Sequence, residues 1–406
     1  MPDFPYGSLR RFPDVEADNL FAHDATDGLL VDQALALIAE HTLAGSEVSV
    51  VGDEYGAITL ALTDAGHDGI RVHQDLATGR RALARNAASL GLSGFASHEL
   101  DASLLTDARL VLVQLPKALA ELEEIADAVA RWAAPDVVLV AGGRVKHMSL
   151  TQNEVLSRSF ASVQPQRAER KSRLIVASDP RPVPAEPPYP QQAEHSEFGL
   201  RLSAHGGAFA ANRIDIGTRV LLEVLSRELG PAAQLRRNGA PPAATRQEHA
   251  ELQKFSGVTP DEQQMVIDLG CGTGALAAYY ALHQPAARVT ATDRSAAAVA
   301  SARETMTANG VADRVTVTHD DAGSDLPDGS ADLILLNPPF HLGASVHTGA
   351  ATRLFEASAR LLRPGGELLT VFNSSLLYRP ELTRLIGQTE QMHRTSKFTV
   401  TRSIRR

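Results

Sequence analysis

Residues 266–274 read Val-Ile-Asp-Leu-Gly-Cys-Gly-Thr-Gly, and the Ala-rich stretch ALAAYYAL follows from Ala275. An apolar run passing straight into a glycine-rich turn and then into good helix formers predicts a strand-turn-helix unit. Glycines allow the tight turn and a close approach of backbone to ligand, and the start of the helix offers N–H groups with no intrahelical partner. The turn alone is shared by binders of NAD, FAD and other adenosine-containing molecules. Two carboxylates narrow it. Asp268 stands before the glycines, where an anion suits a cationic ligand better than a pyrophosphate, or else stabilises the turn. Asp293 ends the next apolar run, Val-Thr-Ala-Thr-Asp, where a carboxylate can accept from both hydroxyls of a ribose or can cap the helix that begins near Ser295.

Outward from this unit, apolar β-rich runs alternate with Ala/Leu-rich helical runs: Val48–Val51 and Ile70–His73 towards the start, Val266–Leu269, Val289–Thr292 and Leu333–Leu336 towards the end. Such alternation implies an α/β fold with a mostly parallel sheet covered on both faces. Between the two groups, Asp179–Pro190 (DPRPVPAEPPYP) holds six prolines in twelve residues, too many for a helix or a central strand, and reads as a semi-rigid linker. The expected organisation is a domain over residues 1–180, a Pro-rich linker over 181–194 and a second domain over 195–406.

The two halves also share landmarks. Phe21-Ala22 followed by Asp27 is matched by Phe209-Ala210 followed by Asp215, at an offset of 188. Gly52 to Asp75 spans 23 residues, as does Gly270 to Asp293. Gln114-Leu115-Pro116 sits where Asn337-Pro338-Pro339 sits, and RKSRLIV from Arg170 matches RTSKFTV from Arg394. Four landmarks in one order imply a single α/β domain written twice. The offset grows from 188 to 218 between the first two landmarks, so the second copy carries about 30 extra residues, placed within Gly230–Gln264 as a long loop or lid.

The 406 residues are 44 % hydrophobic and 21 % charged, which fits packed domains and excludes a disordered, collagen-like or coiled-coil chain. The single Cys271 permits no internal disulfide, the opening MPDFPYGSLRR has no apolar run of a signal peptide, and no membrane span is evident; a soluble, cytoplasmic protein is expected. The net charge of −9 argues at first sight against a nucleic-acid partner. Its distribution weakens that argument: residues 1–194 carry 17 Lys and Arg against 27 Asp and Glu, residues 195–406 carry 22 against 21.

Two further strand ends carry chemistry. Asp320-Asp321 follows the run Val315–Thr318, and Asp321 there can accept from an adenine amino group or belong to a solvated turn. Leu333–Leu336 ends in Asn337-Pro338-Pro339-Phe340-His341. Two prolines lock an extended turn without N–H donors, so the Asn337 amide oxygen and the Pro338 carbonyl can both accept from one planar NH2 group while Phe340 stacks on the ring that bears it. The plainer alternative is a turn-breaker. His341 can contact a bound base or serve the local fold. Cys271 is read as a small packing residue, since no His or Asp partner for a nucleophile is evident, and the absence of HExxH or CxxC pairs points to no metal.

DLGCGTG, Asp293 and NPPFH together resemble the class I S-adenosylmethionine-dependent methyltransferases that act on exocyclic or amide nitrogen. The chain from about residue 15 to 406 resembles the tandem-domain bacterial ribosomal RNA guanine-N2 methyltransferases, through FAANRIDIGTRVLLEVL (209–225), NPPFH, GGELLTVFN (365–373), SKFTVTRSI (396–404) and QLPKALAELE (114–123). The front-domain pattern leans towards the large-subunit enzyme. The resemblance implies two tandem Rossmann-like domains, the first degenerate; S-adenosylmethionine as cofactor, held by Asp268, Gly270, Gly272, Gly274, Asp293 and Asp321; and catalysis by Asn337, Pro338 and Phe340. It implies ribosomal RNA or a ribosomal subunit as partner; a monomer without metal is expected. The front copy agrees with loss of the cofactor: it reads Gly52-Asp53-Glu54-Tyr55-Gly56, with no Asp two residues earlier, and Gln114-Leu-Pro-Lys117 replaces NPPF. Arg144, Lys146, His147, Arg167, Arg170, Lys171 and Arg173 offer it a basic edge, facing RNA or simply solvent. The rival readings are a glutamine-N5 methyltransferase acting on release factors, which typically carries Tyr where Phe340 stands, and a non-catalytic RNA-binding assembly factor.

Overall fold

The computed structural model describes residues 4–229, 263–339 and 348–406. The chain divides into two compact units, one ending at Pro190 and including His205–Gly207, the other formed by Gln191–Ala204 and Ala208–Arg406.

In the first unit β1 (Val48–Val51), β2 (Ile70–His73), β3 (Phe95–Ser97), β4 (Leu110–Gln114), β5 (Val138–Arg144), β6 (Phe160–Pro165) and β7 (Ser172–Pro180) form one sheet in the order β3-β2-β1-β4-β5-β7-β6. Strands β1 to β5 pair in parallel, and β7 runs antiparallel to both β5 and β6. All four residues of β1 are buried, as a strand covered on both faces requires. Alternation sends Val48 and Val50 into a core with helices Ala25–His41, Ala57–Asp64 and Ala77–Leu90, and Val51 into a second core with helices Leu119–Trp132 and Leu150–Ser159.

The second unit repeats this plan. Hairpin strands β8 (Gln191–His195) and β9 (Leu200–Ala204) precede a seven-stranded sheet of β10 (Met265–Leu269), β11 (Arg288–Asp293), β12 (Val315–His319), β13 (Ala331–Leu336), β14 (Leu362–Asn373), β15 (Thr389–Arg394) and β16 (Phe398–Ile404). Its order, β12-β11-β10-β13-β14-β16-β15, is that of the first sheet strand for strand, and β16 is again antiparallel to both its neighbours. The direction of winding reverses between β10 and β13, the point at which open α/β sheets bind ligands beyond their carboxyl ends.

Strand β8 begins at Gln191, inside the stretch 181–194 expected as linker. The prolines end at Pro190, so every residue after it brings an N–H to a ladder, and β9 supplies the partner. The extra length expected within Gly230–Gln264 lies, for residues 230–262, outside the described residues.

Candidate active site

Register sets the predicted residues side by side. Leu269 of β10 aligns with Thr292 of β11 and with Leu336 of β13, and Asp293 aligns with His319 of β12. The glycine turn, Asp293, Asp320-Asp321 and Asn337 therefore follow the carboxyl ends of four adjacent strands.

The turn hangs on its neighbour: the N–H groups of Gly270 and Cys271 donate to the Thr292 carbonyl at 2.8 and 3.0 Å. Gly270, Gly272 and Gly274 have φ of +76°, +53° and +80°, the left-handed region that favours glycine. They differ in surroundings. A Cβ on Gly274 would lie 2.6 Å from Met306 Cε, so that glycine packs turn against helix. Among the described residues nothing lies within 4 Å of a Cβ placed on Gly270 or Gly272, so their backbone borders open space.

Both oxygens of Asp293 hold backbone, Oδ2 accepting from Gly272 N–H and Oδ1 from Ser295 N–H, each at 2.9 Å. The helix Ala296–Ala308 is capped by Ser295 itself, whose Oγ accepts from Ala298 N–H at 3.2 Å. Asp293 thus braces two turns from a half-buried position at the end of its strand. Asp268 is buried, and its Oδ2 accepts from Ala277 N–H at 3.0 Å, so the turn-stabilising role is real. Burial, then the charge of Asp293, push its carboxyl up to about 7. Burial likewise pushes the Cys271 thiol well above its ordinary value, which suits a packing residue and not a nucleophile.

Asp320 serves its own turn, accepting from Ser324 Oγ at 2.5 Å and Asp325 N–H at 2.8 Å. Asp321 is buried and forms an ion pair with Arg353, a partner on a helix that the sequence pattern did not connect to it. Pro338 is buried and Asn337 half-buried; Phe340 and His341 lie outside the described residues.

Asn337 is held from one side only. Its Nδ2 donates to Asp215 Oδ2 at 3.1 Å and to Thr218 Oγ1 at 2.9 Å, while its Oδ1 is buried without a hydrogen-bond partner among the described residues. Asp215 and Thr218 were missed as site residues. A signal existed, since Asp215 is the repeat counterpart of Asp27, and in the first unit Gln114 Nε2 donates to Asp27 Oδ1. The same acid-amide pair occurs in both copies. Elsewhere the first unit differs: the Asp53 carboxylate is buried under the turn and takes the N–H groups of Gly56, Ile58 and Thr59 at 3.1, 3.1 and 2.7 Å. Among the described residues no group of three His, Cys, Asp or Glu is arranged to hold a metal, and no helix is long and apolar enough to cross a membrane.

A doubly wound sheet with a glycine turn after its first strand, a carboxylate ending the second and Asn-Pro-Pro after the fourth defines a Rossmann-like methyltransferase architecture, here in tandem. Residues 252–402 match the methyltransferase small domain and residues 3–181 the RLMG N-terminal domain. The chain is 33 % identical to the ribosomal RNA large subunit methyltransferase G of Streptomyces avermitilis, over 99 % of this chain and 98 % of the relative. It is 34 % identical to the protein of the same name from Pseudomonas aeruginosa, over 97 % and 96 %. The chain belongs to the ribosomal RNA large subunit methyltransferase G family. A solved T. thermophilus 16S rRNA N2-guanine methyltransferase in complex with AdoMet and guanosine shares the fold, with a TM-score of 0.70 at 22 % identity over 95 % of this chain and 92 % of that one.

Proposed function

We propose that the second unit transfers a methyl group from S-adenosylmethionine to the exocyclic N2 of a guanine in ribosomal RNA. One observation carries this reading: a buried acceptor, Asn337 Oδ1, stands at the ligand edge of the sheet without a partner among the described residues while its amide NH2 is tied down. A buried unsatisfied oxygen costs about 1–3 kcal/mol, and a planar amine donor relieves that cost.

The chain's residues fit the cofactor. Among the described residues nothing crowds a Cβ on Gly270 or Gly272, Asp293 holds the Gly272 N–H and is assigned the ribose hydroxyls, and the buried Asp268 is the carboxyl whose ionised form a cationic group favours. S-adenosylmethionine supplies, when bound, a methyl group on a positively charged sulfur.

The guanine N2 lone pair is delocalised into the ring and is a poor nucleophile. Acceptors that hold its hydrogens favour a more pyramidal nitrogen and free the lone pair. Asn337 Oδ1 takes one hydrogen, and the carbonyl of Pro338, in a turn that needs no N–H partner, takes the other. Alignment and stabilisation of developing positive charge then supply most of the rate, and the methylated nitrogen loses its proton readily, so no strong base is required. The base leaves its stack to reach this edge, with Phe340 replacing a stacking neighbour. The proposed working form is a cytoplasmic monomer without a metal ion, since this chemistry asks for no Lewis acid and no side chain from a second copy. The first unit is the non-catalytic copy, its turn occupied by Asp53.

Replacing Asn337 by Ala is expected to slow methyl transfer to ribosomal RNA by about 100-fold or more, the usual cost of one aligned transition-state hydrogen bond, with calorimetric cofactor affinity retained. Transfer to RNA at the native rate overturns the acceptor role, and transfer to a protein glutamine in preference to RNA overturns the substrate.

A further inference from the structure

An amide group is nearly symmetric in shape, and nothing in Asn-Pro-Pro itself decides which end faces the ligand. The wrong end would present NH2 to NH2. What decides it here lies 119 and 122 residues away in the chain. Asp215 Oδ2 is acceptor-only, so only the Nδ2 end of Asn337 can face it, and the 2.9 Å bond to Thr218 Oγ1 fixes the same end from a second direction. The same Asp215 oxygen accepts from Gly217 N–H at 2.9 Å and Thr218 N–H at 3.4 Å, which ties it to the start of helix Ile216–Leu229. With the NH2 end held, Oδ1 is the end left over, and it is buried without a partner among the described residues.

We propose that Asp215 and Thr218 are positioning residues that lock the Asn337 carboxamide with its oxygen towards the ligand, and so set the site to receive a primary amine on a planar ring and to reject an oxo group at that position. The proposal rests on the methyl-transfer reading above and deepens it. The carboxylate also polarises the amide it accepts from, which makes Oδ1 a better acceptor for a nitrogen acquiring positive charge. The first unit keeps the acid-amide pair between Asp27 and Gln114 without the two prolines or the open glycine turn. A purely structural role for the pair would cost the same rate with Asn337 removed, whereas the positioning role would not.

The test is single-turnover methylation of ribosomal RNA by the full chain, with thermal melting and calorimetric cofactor affinity on each variant. Asp215→Ala is expected to slow transfer about 100-fold, the scale of a misaligned reacting group, at unchanged cofactor affinity. Asp215→Asn can keep a carbonyl oxygen at the shared acceptor position and is expected to recover most of that rate. Asp215→Ala also removes a helix cap, so Thr218→Val, which leaves the cap intact, decides the matter: transfer falls about fivefold, the worth of one neutral hydrogen bond, with the melting temperature unmoved. In an Asn337→Ala background both substitutions are expected to have no further effect on the residual rate. Native rates in Asp215→Ala and Thr218→Val, or the same loss with Asn337 already removed, overturn the positioning role. If Asn337→Ala itself transfers at the native rate, it is the methyl-transfer reading that falls, so the two failures are told apart.

Discussion

Asp268 is 1 % exposed, and its carboxyl rises from an ordinary 3.8 to about 7, first through burial and then through the charge of Asp293. A carboxyl raised on folding binds its proton more tightly in the folded state. Its stabilising contribution is therefore complete below pH 3.8 and is lost as pH rises through about 7. A cationic ligand reverses the preference, because it favours the ionised form. Cofactor affinity is thus expected to rise with pH up to about 7 and binding near pH 6.5 to release a proton. Calorimetry in buffers of different ionisation enthalpy reads that release directly, and Asp268→Asn is expected to abolish it; a buffer-independent enthalpy in the native protein removes Asp268 from the binding linkage. Asp268, Asp293 and Asn337 were legible in the sequence because each lies at a strand end or within one residue of it, and strand ends are local features. Thr218 and Arg353 were not, and Asp215 showed only as a repeat counterpart of Asp27, because their partners come from distant segments that meet only when the sheet closes.

The glycine turn divides its work between packing and binding, and the division can be measured. Gly274 has φ +80° and a Cβ there would press on Met306 Cε at 2.6 Å and Ala302 Cβ at 3.1 Å. Gly274→Ala is expected to cost about 1–3 kcal/mol for overpacking and about 1–2 more for the left-handed backbone, read as a lower melting temperature. Gly272 carries only the backbone cost, because its Cβ would stand in open space. Gly272→Ala is expected to leave most of the melting temperature intact and to raise the KM for cofactor. Equal effects of the two on KM and on melting would show that the turn has no separate binding face. The strand-turn-helix was readable from its apolar run, three glycines and Ala-rich continuation. Hairpin β8–β9 was not, because Gln-Gln-Ala-Glu-His has no alternating apolar pattern; pairing partner and packing, such as Ser203 N–H on Thr305 Oγ1 at 3.1 Å, make it a strand.

Both units carry the same strand order, which upholds the duplication inferred from four short landmarks, yet the two copies have spent their turns differently. In the second unit nothing among the described residues crowds a Cβ on Gly270 or Gly272, and the buried Asp268 carboxyl takes a single N–H at the helix start, that of Ala277. In the first, Asp53 is 1 % exposed and occupies three N–H groups at the helix start, and Gln74 Nε2 closes on the Asp53 carbonyl at 2.6 Å. A cofactor entering there would have to break these buried hydrogen bonds. The basic edge expected on that unit is also partly neutralised within it, since Arg144 pairs with Asp24 at 3.4 Å and Arg170 with Asp32 at 3.7 Å and Glu169 at 3.3 Å. Most of the net charge of −9 belongs to residues 1–194, the part without an open glycine turn, so it bears little on whether the other unit meets RNA. Freed of that objection, the duplication makes a countable claim: a chain with two such folds binds one cofactor, not two. Calorimetric titration of the full chain is expected to give a stoichiometry near one, and Asp293→Ala, which leaves the first unit untouched, is expected to weaken that single event sharply. A second equivalent that persists in the Asp293→Ala chain would place a working cofactor site in the first unit and undo its assignment as the spent copy.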